Sequence, residues 1–286
     1  MENEHVIAVE IGKRIVLERK RHHFSQVQLA EGICSQSMIS SIEKGLYIPN
    51  AVLLGRICQK LNVSMGSIVL SHYLEIEGET SFNKTIKQLC DQHNYSEMLN
   101  YLNDSKILAQ LSHDKDLQTY YYYYGVAIYQ VNNNSKKGLL YLNMALNYTF
   151  SPHRDVFTST ELLITSVIAF LETEKKSTVK SGFEKLQHVL VQIEARPQES
   201  YSENLNICFY LYAFSLLNKN NYELANKVAN LGISWITKHK SVYMLADLFF
   251  LLAKIYSASM NDNDACDALE KSRIIESLYD IDTYKF

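Results

Sequence analysis

Residues 24–49 read FSQVQLAEGICSQSMISSIEKGLYIP, from Phe24 to Pro49, and the order of caps and apolar positions in this stretch decides the fold of the N-terminal region. Ser25 followed three residues later by Gln28 is a capping box. Each side chain satisfies an orphan backbone N–H at a helix start, and Leu29 and Ala30 supply the buried face of that short helix. The helix gives way between Gly32 and Cys34. Ser35 or Gln36 then opens another, whose apolar residues Met38, Ile39 and Ile42 recur at spacings near one helical turn. Gly45 ends it, where a left-handed cap is needed. Two short helices joined by a tight turn form a helix-turn-helix signature, in which the second helix is of a size to lie in a DNA major groove.

The helical period continues outward. Ile7, Ile11, Ile15 and Val16 mark an earlier amphipathic helix whose other face carries Lys13, Arg14, Arg19, Lys20 and Arg21, while Val52, Leu53, Ile57 and Leu61 mark a later one. Through Gln26, Leu29-Ala30, Ser37, Ile39-Ser40, Ile42-Glu43, Gly45, Pro49 and Leu61, residues 6 to 70 resemble the lambda-repressor-like helix-turn-helix domain of Cro and XRE type. The resemblance implies that Ser35, Gln36, Ser37, Ser40 and Ser41 meet base edges, with Lys44 completing the DNA-facing set. Gln36 is the first choice for direct readout, because an amide offers one donor and one acceptor to adenine N6 and N7. Gln26 matches a position that grips a backbone phosphate. Many relatives carry arginine where this chain has Ser41, so base preference does not carry across. A purely structural bundle would explain Ser25 and Ser35 as caps alone, but not the whole motif in order.

Charge and composition narrow the function classes. Residues 12–60 hold eight Lys/Arg against three Asp/Glu, whereas residues 71–286 hold 20 against 25, so a basic head precedes an acidic body and phosphate attraction belongs to the head. At 286 residues with 47% hydrophobic content the chain can bury a substantial core, and two domains are expected. No run of eighteen apolar residues appears and the N-terminus MENEHVIAVEIGKR is acidic, so neither a membrane span nor a secretory signal is expected and a cytoplasmic location is. The cysteines Cys34, Cys58, Cys90, Cys208 and Cys266 are odd in number, widely spaced and without CxxC, so no disulfide framework, metal or cofactor is expected. A redox-sensing thiol at Cys34 is a sharper alternative to five reduced, mostly buried cysteines. HExxH, GxSxG and glycine-rich phosphate loops are all missing from the sequence, and catalysis is not expected.

Three prolines and ten glycines punctuate the chain, and nearly every segment after residue 80 has helical periodicity. Aligning Tyr95, Ser135, Val179, Tyr222 and Asp262 gives steps of 40, 44, 43 and 40 residues. Three residues further on stand Met98, Gly138, Gly182, Ala225 and Ala265. Seven on stand Leu102, Leu142, Leu186, Ala229 and Leu269, and ten on Ser105, Ala145, Val189, Gly232 and Ser272. Small, large, small on one helix face lets a neighbouring helix approach closely. The pattern resembles the tetratricopeptide repeat, with a period longer than the usual length of about 34. Helix pairs are expected over about 80–111, 114–149, 154–195, 200–239 and 241–279, stacked as a right-handed superhelix with an inner groove. The fold class expected is all-α, with a helix-turn-helix domain over 1–65, a linker helix over 66–79 and a repeat domain over 80–286. Gly66 and Gly78 flank the apolar residues Ile68, Val69, Tyr73 and Leu74 of that linker, and Pro152 and Pro197 fall between pairs as helix breakers.

A helix-turn-helix head with degenerate tetratricopeptide-like repeats behind it resembles the RNPP family of Gram-positive peptide-pheromone sensors, most of all its PlcR-like subgroup, which the short turn Glu31-Gly32-Ile33-Cys34 also fits. The resemblance implies a homodimer on a palindromic double-stranded DNA operator, with a short signalling peptide bound in the repeat groove. Counting back from the small residues gives the groove lining as Tyr122, Val126, Tyr129, Leu163, Ser166, Phe170, Ile207, Tyr210, Phe214, Asp247, Phe250 and Lys254. That set is apolar and aromatic and suits a hydrophobic peptide. PlcR-like members clamp the peptide backbone with asparagines on inner helices. Here Thr160 to Leu171 contains none, and Asn204 and Asn206 stand near the start of the fourth pair. Two alternatives stay open: repeats that bind another protein, and a scaffold whose head dimerises. The run Tyr120 to Tyr124 covers more than one helical turn and must face several directions, so it reads as packing rather than a base-stacking platform. The mixed-charge stretch Glu172 to Lys176 reads as a solvated helix end, and His22-His23 as an exposed one.

Overall fold

The computed structural model describes residues 2–61, 73–76, 79–151, 156–196, 201–279 and 283. Every regular element among them is helical. The chain divides into two compact units, Met1–Ser71 with His239–Ser241, and His72–Lys238 with Val242–Phe286.

The first unit holds α1 (Glu2–Arg21), α2 (Gln26–Ala30), α3 (Gln36–Glu43) and α4 (Ala51–Lys60). Local chemistry sets each boundary. Ser25 Oγ accepts from Gln28 N while Ser25 N donates to Gln28 Oε1, the reciprocal capping box. Ser35 Oγ caps α3 by accepting from Met38 N, and Asn50 Oδ1 caps α4 by accepting from Leu53 N. The end of α3 is a Schellman closure: Gly45 N donates to Ile42 O and Leu46 N to Ser41 O, with Gly45 at φ +68°. A Cβ at Gly45 would stand 2.5 Å from Val9 Cγ2, so the turn needs glycine both for its conformation and for the approach of α1. Ile11, Ile15, Leu29, Ile39, Ile42, Leu54 and Ile57 form the core. The expected apolar face of α1 is thus seated inward, though the side chains of Ile7, Lys13 and Arg21 lie outside the described residues.

The second unit holds α5 (Thr80–Asp91), α6 (Tyr95–Leu102), α7 (Ser105–Gln110), α8 (Asp114–Asn132), α9 (Ser135–Thr149), α10 (Ser159–Thr173), α11 (Val179–Glu194), α12 (Asn206–Leu217), α13 (Tyr222–Lys238), α14 (Leu245–Ala258) and α15 (Asp262–Tyr279). From α8 onward they form antiparallel pairs, α8 with α9, α10 with α11, α12 with α13 and α14 with α15. Each second helix also packs on the first helix of the next pair, and first helices touch in the order α10, α12, α14. This is the helix-pair array expected, with one difference. The first pair is α5 with α6, and a separate short helix α7 follows it, because Asp104 accepts from Lys106 N and caps a new start.

The expected linker helix over 66–79 lies partly outside the described residues, as do Pro152 and Pro197. Residues 73–76, which are described, are not helical. Ile76 is instead held by an amide clamp, Ile76 N donating to Asn83 Oδ1 and Asn83 Nδ2 to Ile76 O, each at 2.8 Å, which satisfies its backbone as a strand partner would. Leu74 and Ile76 are buried against Phe82 and Ile86.

The tyrosine run divides as its helical period requires. Tyr120 and Tyr123 are buried and their hydroxyls donate to Leu102 O and Leu74 O, whereas Tyr121 stacks with Tyr141 and Tyr148. Among the described residues no helix is long and apolar enough to cross a membrane.

Burial also fixes the cysteine chemistry. It raises the Cys58 thiol to about 11 and the Cys208 thiol to about 12, and it raises Cys34. The thiolate is the reactive form, so a rise from about 9 to about 11 cuts it roughly 100-fold at pH 8. Ellman's reagent at pH 8 is therefore expected to titrate exposed Cys266 first and Cys58 and Cys208 only on unfolding; fast reaction of either buried thiol in the native chain would contradict this. Because each folded value lies above the unfolded one, this contribution to stability is complete below pH 9 and fades as pH rises through the folded values.

Candidate functional site

The exposed face of α3 begins at its N-terminus. Ser35, Gln36 and Ser37 are exposed there, Ser40 and Ser41 are half-buried, and Lys44 is exposed at the far end. Ser35 is committed to capping and its Oγ lies 2.9 Å from Ser37 Oγ. Ser41 contributes its carbonyl to the α3 closure.

Gln36 is held in place by a relay absent from the sequence expectations. Gln36 Nε2 donates to Gln26 Oε1 at 2.7 Å, and Gln26 Nε2 donates to Glu43 Oε2 at 2.7 Å. Glu43 in turn takes a two-point bond from Arg19, Nε to Oε1 at 2.5 Å and NH2 to Oε2 at 2.9 Å. Arg19 NH1 donates to Phe24 O, tying the relay to the turn before α2. The hydrogen bond to Glu43 is the main reason the guanidinium sits above its usual value, burial opposing it. Arg19 thus departs from the solvent-facing basic set expected of α1. The relay leaves Gln36 one amide N–H and its carbonyl oxygen, the donor and acceptor that a bidentate adenine contact uses.

Arg56 and Lys60 of α4 line a shallow depression with Gly32 and Ile33, and Lys60 Nζ donates to Glu31 O at 2.6 Å. Beyond α3, Leu46, Ile48 and Val52 expose an apolar strip. The depression, Leu46 and Ile48 carry no mark in the sequence, whereas Val52, expected on the apolar face of α4 with Leu53, Ile57 and Leu61, is turned outward instead. His22 and His23 are exposed at the end of α1.

In the repeat unit, the twelve expected groove residues all fall on first helices, three each on α8, α10, α12 and α14. An aromatic row crosses three of those helices. Tyr129 meets Phe170 edge-on at 6.3 Å between centroids, Phe170 lies 6.2 Å from Phe214, and Phe214 stacks on Tyr210 at 6.0 Å. Tyr122, Val126 and Ile207 are half-buried beside it, packed in the same apolar cluster as Phe170. Lys254 Nζ stands 4.8 Å over the Phe250 ring.

Five of the twelve are buried. Leu163, Phe170, Tyr210 and Asp247 are nearly closed off, and Ser166 is fully so, donating to Leu163 O and accepting from Cys208 Sγ. Ser166 belongs to the α10–α12 contact because it faces Cys208 across two helices that pack closely.

At the C-terminal ends of α8, α10 and α12 lies a pocket of about 390 Å³, lined by Tyr129, Gln130, Asn133, Phe170, Glu174, Phe214 and Asn218. Asn133, Glu174 and Asn218 extend the three expected stripes by one further helical step of four residues. They fall just past the last helical residue, as the cap positions of those helices. Asn204 and Asn206 are occupied internally: Asn204 Oδ1 accepts from Ser202 Oγ, and Asn206 Nδ2 donates to Tyr243 O. Amides therefore do reach the groove, but from helix ends.

Comparison with known proteins agrees with both halves of this description. Residues 15–68 match the family model described as Helix-turn-helix, so the head is a helix-turn-helix domain. The whole chain shares its fold with Bacillus thuringiensis PlcR: a crystal structure of PlcR in complex with the peptide PapR7 and DNA matches with a TM-score of 0.60 at 24% identity, covering 95% of this chain and 96% of that one. The apo form of PlcR matches at 0.57 and 21% identity, with 95% and 96% covered. The apo form of ComR from S. thermophilus matches at 0.50 and 18%, with 95% and 94% covered. The search of curated proteins returned no match.

Proposed function

We propose that this chain is a cytoplasmic transcription regulator that acts as a homodimer on a palindromic DNA operator, and whose repeat domain binds a short signalling peptide that alters operator binding. One observation carries the reading. A helix-turn-helix head with a pre-positioned Gln36 shares a chain with an aromatic helix-pair groove, in the fold of a protein crystallised with both a peptide and DNA. The head spans residues 1–65 and the repeats 80–286. Gln36 meets base edges, Ser37, Ser40, Ser41 and Lys44 flank it, and Gln26 approaches the backbone. The partly exposed members of the groove set, Tyr122, Val126, Tyr129, Ile207, Phe214, Phe250 and Lys254, contact the peptide together with Phe170, which is buried but lines the pocket, and Leu163, Ser166, Tyr210 and Asp247 form the wall behind them. Peptide shifts the operator equilibrium by as much as its affinity differs between the two arrangements of the dimer.

Operator duplexes selected from a random pool by the purified chain, titrated with synthetic peptides encoded near its gene, test the proposal. Micromolar or tighter peptide binding that changes the operator Kd is expected; absence of any such peptide across a thorough panel sinks it, leaving repeats that bind another protein. Gln36→Ala is expected to weaken operator binding by about 1–3 kcal/mol, roughly five- to 150-fold, and to leave peptide affinity intact. Phe214→Ala is expected to do the reverse. Equal loss of both functions in either variant, read by fluorescence anisotropy, would contradict the division of labour.

A further inference from the structure

The stretch Glu172 to Lys176 separates into two environments. Glu172 is neutralised by Lys185, whose Nζ stands 2.7 Å from Oε1. Glu174, two residues on, makes no ion pair among the described residues and lines the pocket at the ends of α8, α10 and α12. Tyr129 Oη donates to Glu174 Oε1 at 2.6 Å, which fixes the carboxylate and leaves Oε2 open. Phe170 and Phe214 complete the apolar wall.

We propose that this pocket is the specificity site for a cationic nitrogen carried by the peptide, held by Glu174 between the rings of Tyr129, Phe170 and Phe214. The inference rests on the peptide-binding reading and adds the charge of the ligand to it. Three physical arguments converge. The lining holds one carboxylate and no basic side chain, and Lys175 and Lys219, the neighbours of lining residues in sequence, are not part of it. Aromatic faces carry negative electrostatic potential and attract cations within about 6 Å. Three helices of 19, 15 and 12 residues end at this one place, and the C-terminal end of a helix carries partial negative charge that favours a cation.

The Tyr129 phenol is held well above its usual value, first by burial and then by Glu174, so it stays protonated and remains the donor to the carboxylate. An acidic group in the same place would be repelled by the carboxylate, so the pocket selects against acidic ligands as well as for cations.

The test uses the full chain, immobilised, and a random heptapeptide library in two forms, with free and with acetylated N-termini, the retained peptides being read by mass spectrometry. Retained peptides are expected to be enriched at least about tenfold for a cationic nitrogen. Enrichment of Lys or Arg at one position in both forms makes the source a side chain. Retention confined to free N-termini makes it the α-ammonium, and either supports the pocket. Glu174→Gln is expected to lose the enrichment and Glu174→Lys to turn it toward acidic residues, while Glu172→Gln, outside the pocket, keeps it. Peptides retained without charge preference, or enrichment that survives Glu174→Gln, overturn the pocket and leave peptide binding standing. No retention of any peptide by the wild-type chain overturns both.

Discussion

Replacing Phe209 by alanine is expected to cost the repeat unit about 3–5 kcal/mol, the range for truncating a fully buried aromatic side chain. Phe209 is the largest fully buried side chain among the described residues and lies on α12, in the fourth helix pair, with a neighbouring pair on either side. Its ring sits 5.9 Å from that of Trp235 on α13. The upper half of the range is expected because the site cannot relax to fill the hole. A Cβ built at Gly232 would stand 2.7 Å from Phe209 Cβ and 2.9 Å from Leu248 Cδ1, so α12, α13 and α14 already meet as closely as their backbones allow. In a stacked array each pair is stabilised by its neighbours, and weakening the pair α12–α13 removes an interface on both sides. Urea unfolding followed by far-UV circular dichroism reads the effect, and a loss below about 1 kcal/mol would show that the α12–α13 crossing is looser than its distances imply.

That crossing explains why the array could be read from letters. The residues used to align the repeats, Tyr95, Ser135, Val179, Tyr222 and Asp262, are the first residues of α6, α9, α11, α13 and α15. The positions three further on are all buried. Those seven further on are buried from Leu102 to Ala229, with Leu269 half-buried. Backbone proximity demands a small side chain at a fixed place on every second helix, and such a demand leaves a period in the sequence whatever fills the rest. Ser105 broke the pattern because α6 ends at Leu102, two turns after it starts, and a cap at Asp104 begins α7. The segment at 73–76 departs from the helix expected there for a different reason. Its apolar residues are buried without helical geometry, and the Asn83 clamp that makes this possible is a contact between residues seven apart that no periodicity encodes.

The sites were legible to the extent that they follow a stripe. Tyr129, Phe170 and Phe214 stand together at one pocket because residues on one helix face recur at three and four. Asn133, Glu174 and Asn218 line the same pocket from cap positions, one step past the last helical residue, where helical periodicity no longer marks them. On the head, Gln36 and Gln26 followed from the motif, but their mutual bond and its anchor on Glu43 and Arg19 join three separate helices. Arg19, one of five basic residues on the early helix, carries no local mark that distinguishes it from Lys20.

This relay makes Glu43→Ala the second large effect, with stability and recognition lost together. The Glu43 side chain is 4% exposed and that of Arg19 is 13% exposed, so removing the carboxylate strands a mostly buried guanidinium. Breaking such a pair typically costs about 3–5 kcal/mol, and the lower end is expected here because Arg19 keeps its bond to Phe24 O and some access to water. Gln26 would lose its acceptor, and Gln36 the partner that fixes its amide. The double variant Arg19→Leu with Glu43→Leu separates the two consequences. Exchanging a buried ion pair for apolar residues is often neutral for stability, so the head should recover most of its resistance to urea. Nothing in that variant restores an acceptor for Gln26 Nε2, so operator affinity should stay at the level of Gln36→Ala. Full recovery of operator binding in the double variant would mean that the relay only holds α1 against α3 and has no part in presenting Gln36. Failure to recover stability would mean that the two-point bond itself, rather than the stranded charge, supplies the missing energy.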